Sequence, residues 1–191
     1  MSEYSSEVVP EKLLSPRDKD ARRHRLRVFQ AQLVDRMQVA RSGVDSRINQ
    51  LGIMIGPTRW LLNLKEAGEI VSVGTITNVP LTQNWFLGLT NIRGNLISVV
   101  DLSQFQGGAA ASIDKDSRII AFSPSLSFNS GLLVSRILGL HNVADMDRQP
   151  ADETDRTSWF SQRYIDRDAH EWRTLDLSLV VQDPQFLHVG L

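Results

Sequence analysis

From residue 50 to residue 183 the chain is a succession of short apolar segments. "GIMIG", "RWLLNL", "GEIVSVG", "WFLGLTNIR", "LISVVDL", "SRIIAFSP", "SGLLVSRILGL", "QRYIDRD" and "EWRTLDL" are separated by Gly, Pro, Asn and Asp. Runs this short, rich in Val, Ile and Thr and interrupted this often, read as strands and hairpins rather than packed helices. There is no alternation of strand and helix that would build a parallel sheet, so the expected class is mainly β, of barrel type. The number of strands is compatible with two half-size barrels.

Individual hairpins can be placed. "GIMIG" and "RWLLNL" meet across "PT". "WFLGLTNIR" and "LISVVDL" meet across a tight turn, and "QRYIDRD" and "EWRTLDL" meet across "AH". "TITNVPL" reads as a strand that stops pairing at Pro80. "SGLLVSRILGL" reads as a single strand, and the polar "DMDRQPADETDRTS" as an exposed loop. The Gly/Ala-rich stretch 106–116 is expected at the junction of the two barrels within a domain spanning 50–183. "DLSLVVQDPQFLHV" reads as a short helix and a tail, with residues 184–191 as the tail.

The amino-terminal part differs. Residues 1–14 read as a loose tail, followed by a helical extension over 15–49. Ser15 suits the cap, Pro16 the first helical position and Asp18 the positive end of the dipole. Leu26, Phe29, Leu33, Met37 and Ala40 recur at helical spacing, and Gly43 breaks the pattern. The arginine-rich faces of this segment read as solvated surface. The apolar stripe suits packing on the barrels, or a partner's groove.

Composition excludes several functions. A formal net charge of −1 over 191 residues is not that of a nucleic-acid binder, which depends on clustered Lys and Arg. With no cysteine, thiolate catalysis, disulfides and Cys-based metal sites are out. "MSEYSSEVVPEKLLS" lacks a basic start followed by an apolar core, so no signal peptide is expected. The longest apolar runs are too short to span a membrane. A cytoplasmic address follows as the expectation.

Catalytic motifs are missing too. The four histidines, His24, His141, His170 and His188, form no metal-binding pair at helical spacing. "FNSGLL" has its serine out of frame for a nucleophile elbow, and "QGGAAAS" lacks the following helix and lysine of a phosphate cradle. Asp145 with Asp147, and Asp152 with Glu153, lie in a polar loop where burial cannot separate their pKa values. No enzyme, cofactor or metal is expected.

One hairpin stands out. In "GLTNIRGNLISVVDL", Leu89, Ile92, Leu96, Ile97, Val99 and Val100 can fill the faces of two strands. Gly94 supplies the positive φ of a tight turn, and Asn91, Arg93 and Asn95 project around it into solvent. Asp101 is placed to cap a short helix, "DLSQF". Arg93 carries a planar fork of five donors, suited to a protein partner, although turn chemistry alone would also account for the pattern.

The same stretch resembles the signature of the CheW family of chemotaxis coupling proteins, in Gly88, Leu89, Asn91, Ile92, Arg93, Gly94 and Val100-Asp101-Leu102. "TITNVP" and "SGLLVSRILGL" resemble the segments on either side of that signature. The helical extension and the ending "DPQFLHVGL" are more similar to the twitching-motility branch of the family (PilI-type). Ser135 and Arg136 depart from the family's usual aspartate in the later strand.

The resemblance implies two small five-stranded barrels of SH3-like form, packed together, and a non-catalytic adaptor in a type IV pilus chemosensory system. Its implied partners are the regulatory domain of a CheA-type histidine kinase and the cytoplasmic tip of a methyl-accepting chemoreceptor. The receptor-side arginine maps onto Arg93, with Asn91 and Gly94 shaping its turn. On the kinase side Phe86 and Leu87 are the candidates. The competing expectation is a small-ligand sensor that uses a cleft between the barrels, lined by Trp60, Trp85 and Arg93.

Overall fold

The computed structural model describes residues 49–150 and 159–191, in eleven strands, three short α-helices and two 3-10 turns. Strands β1 (Asn49–Ile55) and β2 (Thr58–Asn63) form the first hairpin across Gly56 and Pro57. β3 (Ala67–Ser72), β4 (Phe86–Ile92) and β5 (Asn95–Val100) follow. Helix α1 (Leu102–Phe105) leads to β6 (Arg118–Phe122) and β7 (Ser130–Val134). β8 (Arg136–Asn142), β9 (Asp147–Gln149), β10 (Phe160–Ile165) and β11 (Glu171–Leu175) complete the strands. Helices α2 (Leu177–Val180) and α3 (Pro184–Leu187) follow. The helical extension expected over 15–49 lies outside the described residues, apart from Asn49 at the start of β1.

The strands form two sheets. One has six strands in the order β8-β1-β2-β11-β10-β9, the other five in the order β3-β6-β7-β5-β4. The five-stranded sheet is drawn together beyond β3, where Thr77 and Leu89 exchange backbone hydrogen bonds of 2.8 and 2.9 Å. The sixth strand of the larger sheet is β9, three polar residues with no apolar alternation to announce them. The Gln162 side chain holds it in place, accepting from Arg148 Nε at 2.6 Å and donating to the Gln149 carbonyl at 2.6 Å.

Topology corrects the expected halves. The segment 106–116 runs from α1 to β6 within the five-stranded sheet, so it is not the junction. The chain changes sheets between Asn63 and Ala67, and again at Ser135. "SGLLVSRILGL" is accordingly two strands in two sheets, and Ser135 N–H donates to the Met54 carbonyl at 2.9 Å at the crossing. Continuous apolar character concealed that break, because β7 is buried on both faces. "TITNVPL" contributes only the bridge at Thr77.

Packing explains why both sheets are needed. Leu51, Ile53, Ile55, Trp60 and Leu62 of the first hairpin share one core with Val100, Ile120, Phe122, Leu132 and Val134 of the five-stranded sheet. The alternate residues Ile97, Val99, Ile119 and Leu133 fill a second core with Ile92. Residues 184–191 are not a loose tail. Asp183 caps α3, Phe186 is 2% exposed in the shared core, and Gly190 bridges to Thr82.

Candidate functional site

The turn between β4 and β5 has two central residues, Arg93 and Gly94, both left-handed with φ of 51° and 89°. That is the backbone a two-residue hairpin needs to match the twist of its strands, and it favours Asn-Gly over Arg-Gly. The Gly94 N–H donates to Asn91 Oδ1 at 2.8 Å, which closes the turn. Asn91, Arg93 and Asn95 are all exposed. Leu96, expected to help fill the hairpin, is also exposed, because Ile97 and Val99 point into the core from the alternate positions.

Arg93 does more than complete a turn. Its Nε lies 2.7 Å from Glu69 Oε1 on β3, across the mouth of the five-stranded sheet. The arginine side chain remains 81% exposed, so one edge of the guanidinium is held while its outer nitrogens face solvent. An L-residue in the left-handed region stores strain, and such outliers collect at functional positions. Sequence reading missed Glu69, since nothing in "GEIVSVG" marks it as the partner of a residue in the next hairpin. A groove of about 360 Å³ opens beside this pair, with Glu69, Ile97, Phe122 and Phe128 among its lining.

The hairpin is fixed from below. Gly88 has φ of 130°, and a side-chain carbon there would collide with the Thr77 carbonyl oxygen. Its glycine is therefore required by the close approach of the 73–77 segment to β4. Asp101, fully buried, caps α1 by accepting from Ser103 N–H at 2.9 Å and Gln104 N–H at 3.3 Å. Its other oxygen accepts from Ala111 N–H at 2.7 Å and ties down the long connection that follows.

Phe86 and Leu87 sit where β4 bulges against β5, and both are half-buried. Phe86 packs edge-on to Trp85 at 6.4 Å, and Leu87 packs on the second core. Ser135 lies at the sheet crossing, and Arg136 pairs with Asp116 at 3.2 Å on the surface.

The residues expected to line a ligand cleft, Trp60, Trp85 and Arg93, are not brought together. Trp60 is 2% exposed and packs on Trp159 and Phe160. Trp85 stacks on Phe186 at 5.5 Å. Both indoles belong to the shared core, although Trp85 also lines a hollow at the surface, and neither joins Arg93.

Among the described residues one cluster has the composition of a cation site. Asp166, Asp168 and His170 bring ligand atoms within 4.8 Å of one another. The bonding is the turn's own. Asp166 Oδ1 accepts from the Asp168 and His170 N–H groups, each at 2.9 Å, and Oδ2 accepts from the Trp172 indole at 2.8 Å. Desolvation pushes the Asp166 pKa up, but the Trp172 and His170 hydrogen bonds outweigh it and hold it at about 2. His170 is thus a bonded turn residue, and His141 lies 4.3 Å from the Trp172 ring.

The family model for the CheW-like domain matches residues 50–185. The chain belongs to the CheW-like family. Protein PilI of Pseudomonas aeruginosa is 26% identical over 92 residues, which cover 48% of this chain and 51% of PilI. The match therefore spans about half of that relative's length. Chemotaxis protein CheW of Helicobacter pylori is 27% identical over 127 residues, covering 64% of this chain and 76% of its own. The crystal structure of the scaffolding protein TtCheW from Thermoanaerobacter tengcongensis superposes with a TM-score of 0.60 at 22% identity, over 72% of this chain and 94% of that one. The two-sheet architecture is thus the CheW-like fold, and the CheW-like family is one of chemotaxis scaffolds. The sequence signature at Gly88–Leu102 and the matched domain identify the same family.

Proposed function

We propose that the protein is a non-catalytic adaptor that couples the cytoplasmic tip of a methyl-accepting chemoreceptor to the regulatory domain of a CheA-type histidine kinase. Arg93 carries the reading. It is a left-handed, strongly exposed arginine, braced by Glu69 at the tip of a hairpin whose base is fixed by Gly88 and Asp101. A rigid platform that presents a charged fork suits recognition of carboxylates or carbonyls on a partner surface. Asn91 and Gly94 act by holding the turn. Phe86 and Leu87, at the β4 bulge, are the kinase-side candidates.

Such an adaptor works by shifting the kinase between conformations, which needs differential binding and no chemistry. No helix among the described residues is long and apolar enough to cross a membrane. A cytoplasmic protein held at the membrane through its receptor accords with this. The PilI relative and the ending "DPQFLHVGL" support placement in a type IV pilus system.

Calorimetric titration of the full chain with a CheA-type regulatory domain and with a receptor tip tests the proposal. Wild type is expected to bind both, and Arg93→Glu to lose the receptor while keeping the kinase. If neither partner binds at tens of micromolar, the adaptor reading fails. If the charge reversal leaves receptor binding intact, the hairpin tip is not the contact. Deletion of the gene should abolish twitching and spare swimming; the reverse would move the protein to a flagellar system.

A further inference from the structure

Away from the hairpin tip, a second left-handed residue lies in the Pro80-Leu81 turn, whose backbone does not explain its identity. Leu81 has φ of 60° and is 79% exposed, a large aliphatic side chain in strained backbone facing water. Glycine or asparagine would occupy that backbone at lower cost. The surrounding bonds hold it there. The Leu81 carbonyl accepts from Leu191 N–H at 3.1 Å, Thr82 bridges Gly190, and Gln83 N–H donates to the Val189 carbonyl at 2.8 Å. Two segments far apart in sequence are thereby joined, and they put Leu81, Leu187 and Leu191, all more than half exposed, on the surface. Beside them lies a hollow of about 270 Å³ with Trp85 and Phe105 in its lining, rimmed by Gln83, Gln185 and His188.

The chain carries no Asp, Glu, Lys or Arg from Ile70 to Ile92, nor from Pro184 to Leu191. The face built from these stretches thus has leucine knobs, an aromatic hollow and an amide rim, and those segments bring no charge to it. In a two-fold contact each group meets its own kind or its near neighbours. A patch with charges of one sign repels its own copy, while amides, with donor and acceptor together, pair with themselves. Apolar patches of this kind on a soluble protein mark contact surfaces.

We propose that this face is a self-complementary contact between two copies of the chain, with Leu81 of each copy directed at the hollow of the other. The strain at Leu81 is tolerated because the leucine is needed at the contact and not for the fold.

Sedimentation velocity on the full chain across a concentration series tests this, with Leu81→Asp and Leu81→Gly alongside wild type. Wild type is expected to move toward twice its 21.5 kDa mass at tens of micromolar, with little dependence on salt. Leu81→Asp should weaken association at least tenfold. Leu81→Gly should do the same while its Tm stays level or rises, since glycine relieves the strain. A monomeric wild type at those concentrations overturns the proposal, whether the patch proves to be covered by residues 1–48 or by the kinase. Unchanged association in either variant overturns it as well.

Discussion

Replacing Arg93 by asparagine separates the turn from the contact. An L-residue in the left-handed region costs roughly 1–2 kcal/mol, and asparagine is among the few that visit it readily. Against that gain stands the loss of the Glu69 pair, which is exposed on the arginine side and worth about 1 kcal/mol at most. Taking the low end of the strain and half of the pair, Arg93→Asn should gain on the order of 0.5 kcal/mol. In a domain of this size that raises Tm by about 1–2 °C. Binding should respond in the opposite sense. Losing a charge-assisted contact of about 1.4 kcal/mol or more raises the receptor Kd at least tenfold. Thermal unfolding by circular dichroism and receptor titration on the same preparations give both numbers. A fall in stability beyond about 1 kcal/mol would mean the arginine serves the fold, and the strain argument would collapse. Unchanged receptor affinity would refute the contact from the other side.

The supports beneath the hairpin should fail more severely. Gly88→Ala combines forbidden backbone with a collision against the Thr77 carbonyl, and should cost about 3 kcal/mol or more in urea unfolding. Asp101→Ala loses a helix cap and orphans the Ala111 N–H, about 2–4 kcal/mol by the same assay. Phe186→Ala should cost about 3–5 kcal/mol, since the ring lies in the shared core; a loss below 1 kcal/mol would return residues 184–191 to the status of a tail. Acid stability tests Asp166. Its folded pKa is about 2 against 3.8, so its contribution is present above 3.8 and fades as pH falls toward 2. Glu66 works in the other sense, because burial, and then Asp176 beside it, raise its pKa above 4.5, so stability declines as pH rises through that window. The gap between wild type and Asp166→Asn cancels Glu66, and should close between pH 3.8 and 2.

Local chemistry was legible in the sequence. The hairpin at Arg93-Gly94, the cap at Asp101 and the exposure of Asn91, Arg93 and Asn95 all follow from turn and capping rules that act over a few residues, and the first hairpin was read across Pro57-Thr58, one residue beyond its turn at Gly56-Pro57. What depends on distant pairing was not. The parallel pairs β2–β11 and β5–β7 join strands that are not consecutive in the chain, and no periodicity announces them. The crossing at Ser135 was hidden because β7 is buried on both faces, which removes the alternation that would have ended it. Phe186 looked like part of a tail because its four-residue helix is too short to show an apolar stripe. Glu69 and Leu81 were invisible for a related reason: what makes each notable is a partner or a backbone angle that only the assembled sheets create.

The interleaved topology also explains how a small tip can matter to the whole body. β3 to β7 are inserted between β2 and β8, so the five-stranded sheet is one continuous stretch of chain and the six-stranded sheet is split around it. From the turn, β5 runs inward with Ile97 and Val99 in one core and Val100 in the other, and ends at the buried Asp101. The parallel partner β7 shows the same division, with Leu133 in one core and Leu132 and Val134 in the other. Displacing the hairpin tip therefore strains both cores at once, and close-packed interiors yield by switching arrangement rather than by gradual deformation. A platform so tied to its base resists being bent by the partner that grips it. For the adaptor proposed above, which would bias another protein's equilibrium, that stiffness would direct the binding free energy into the partner.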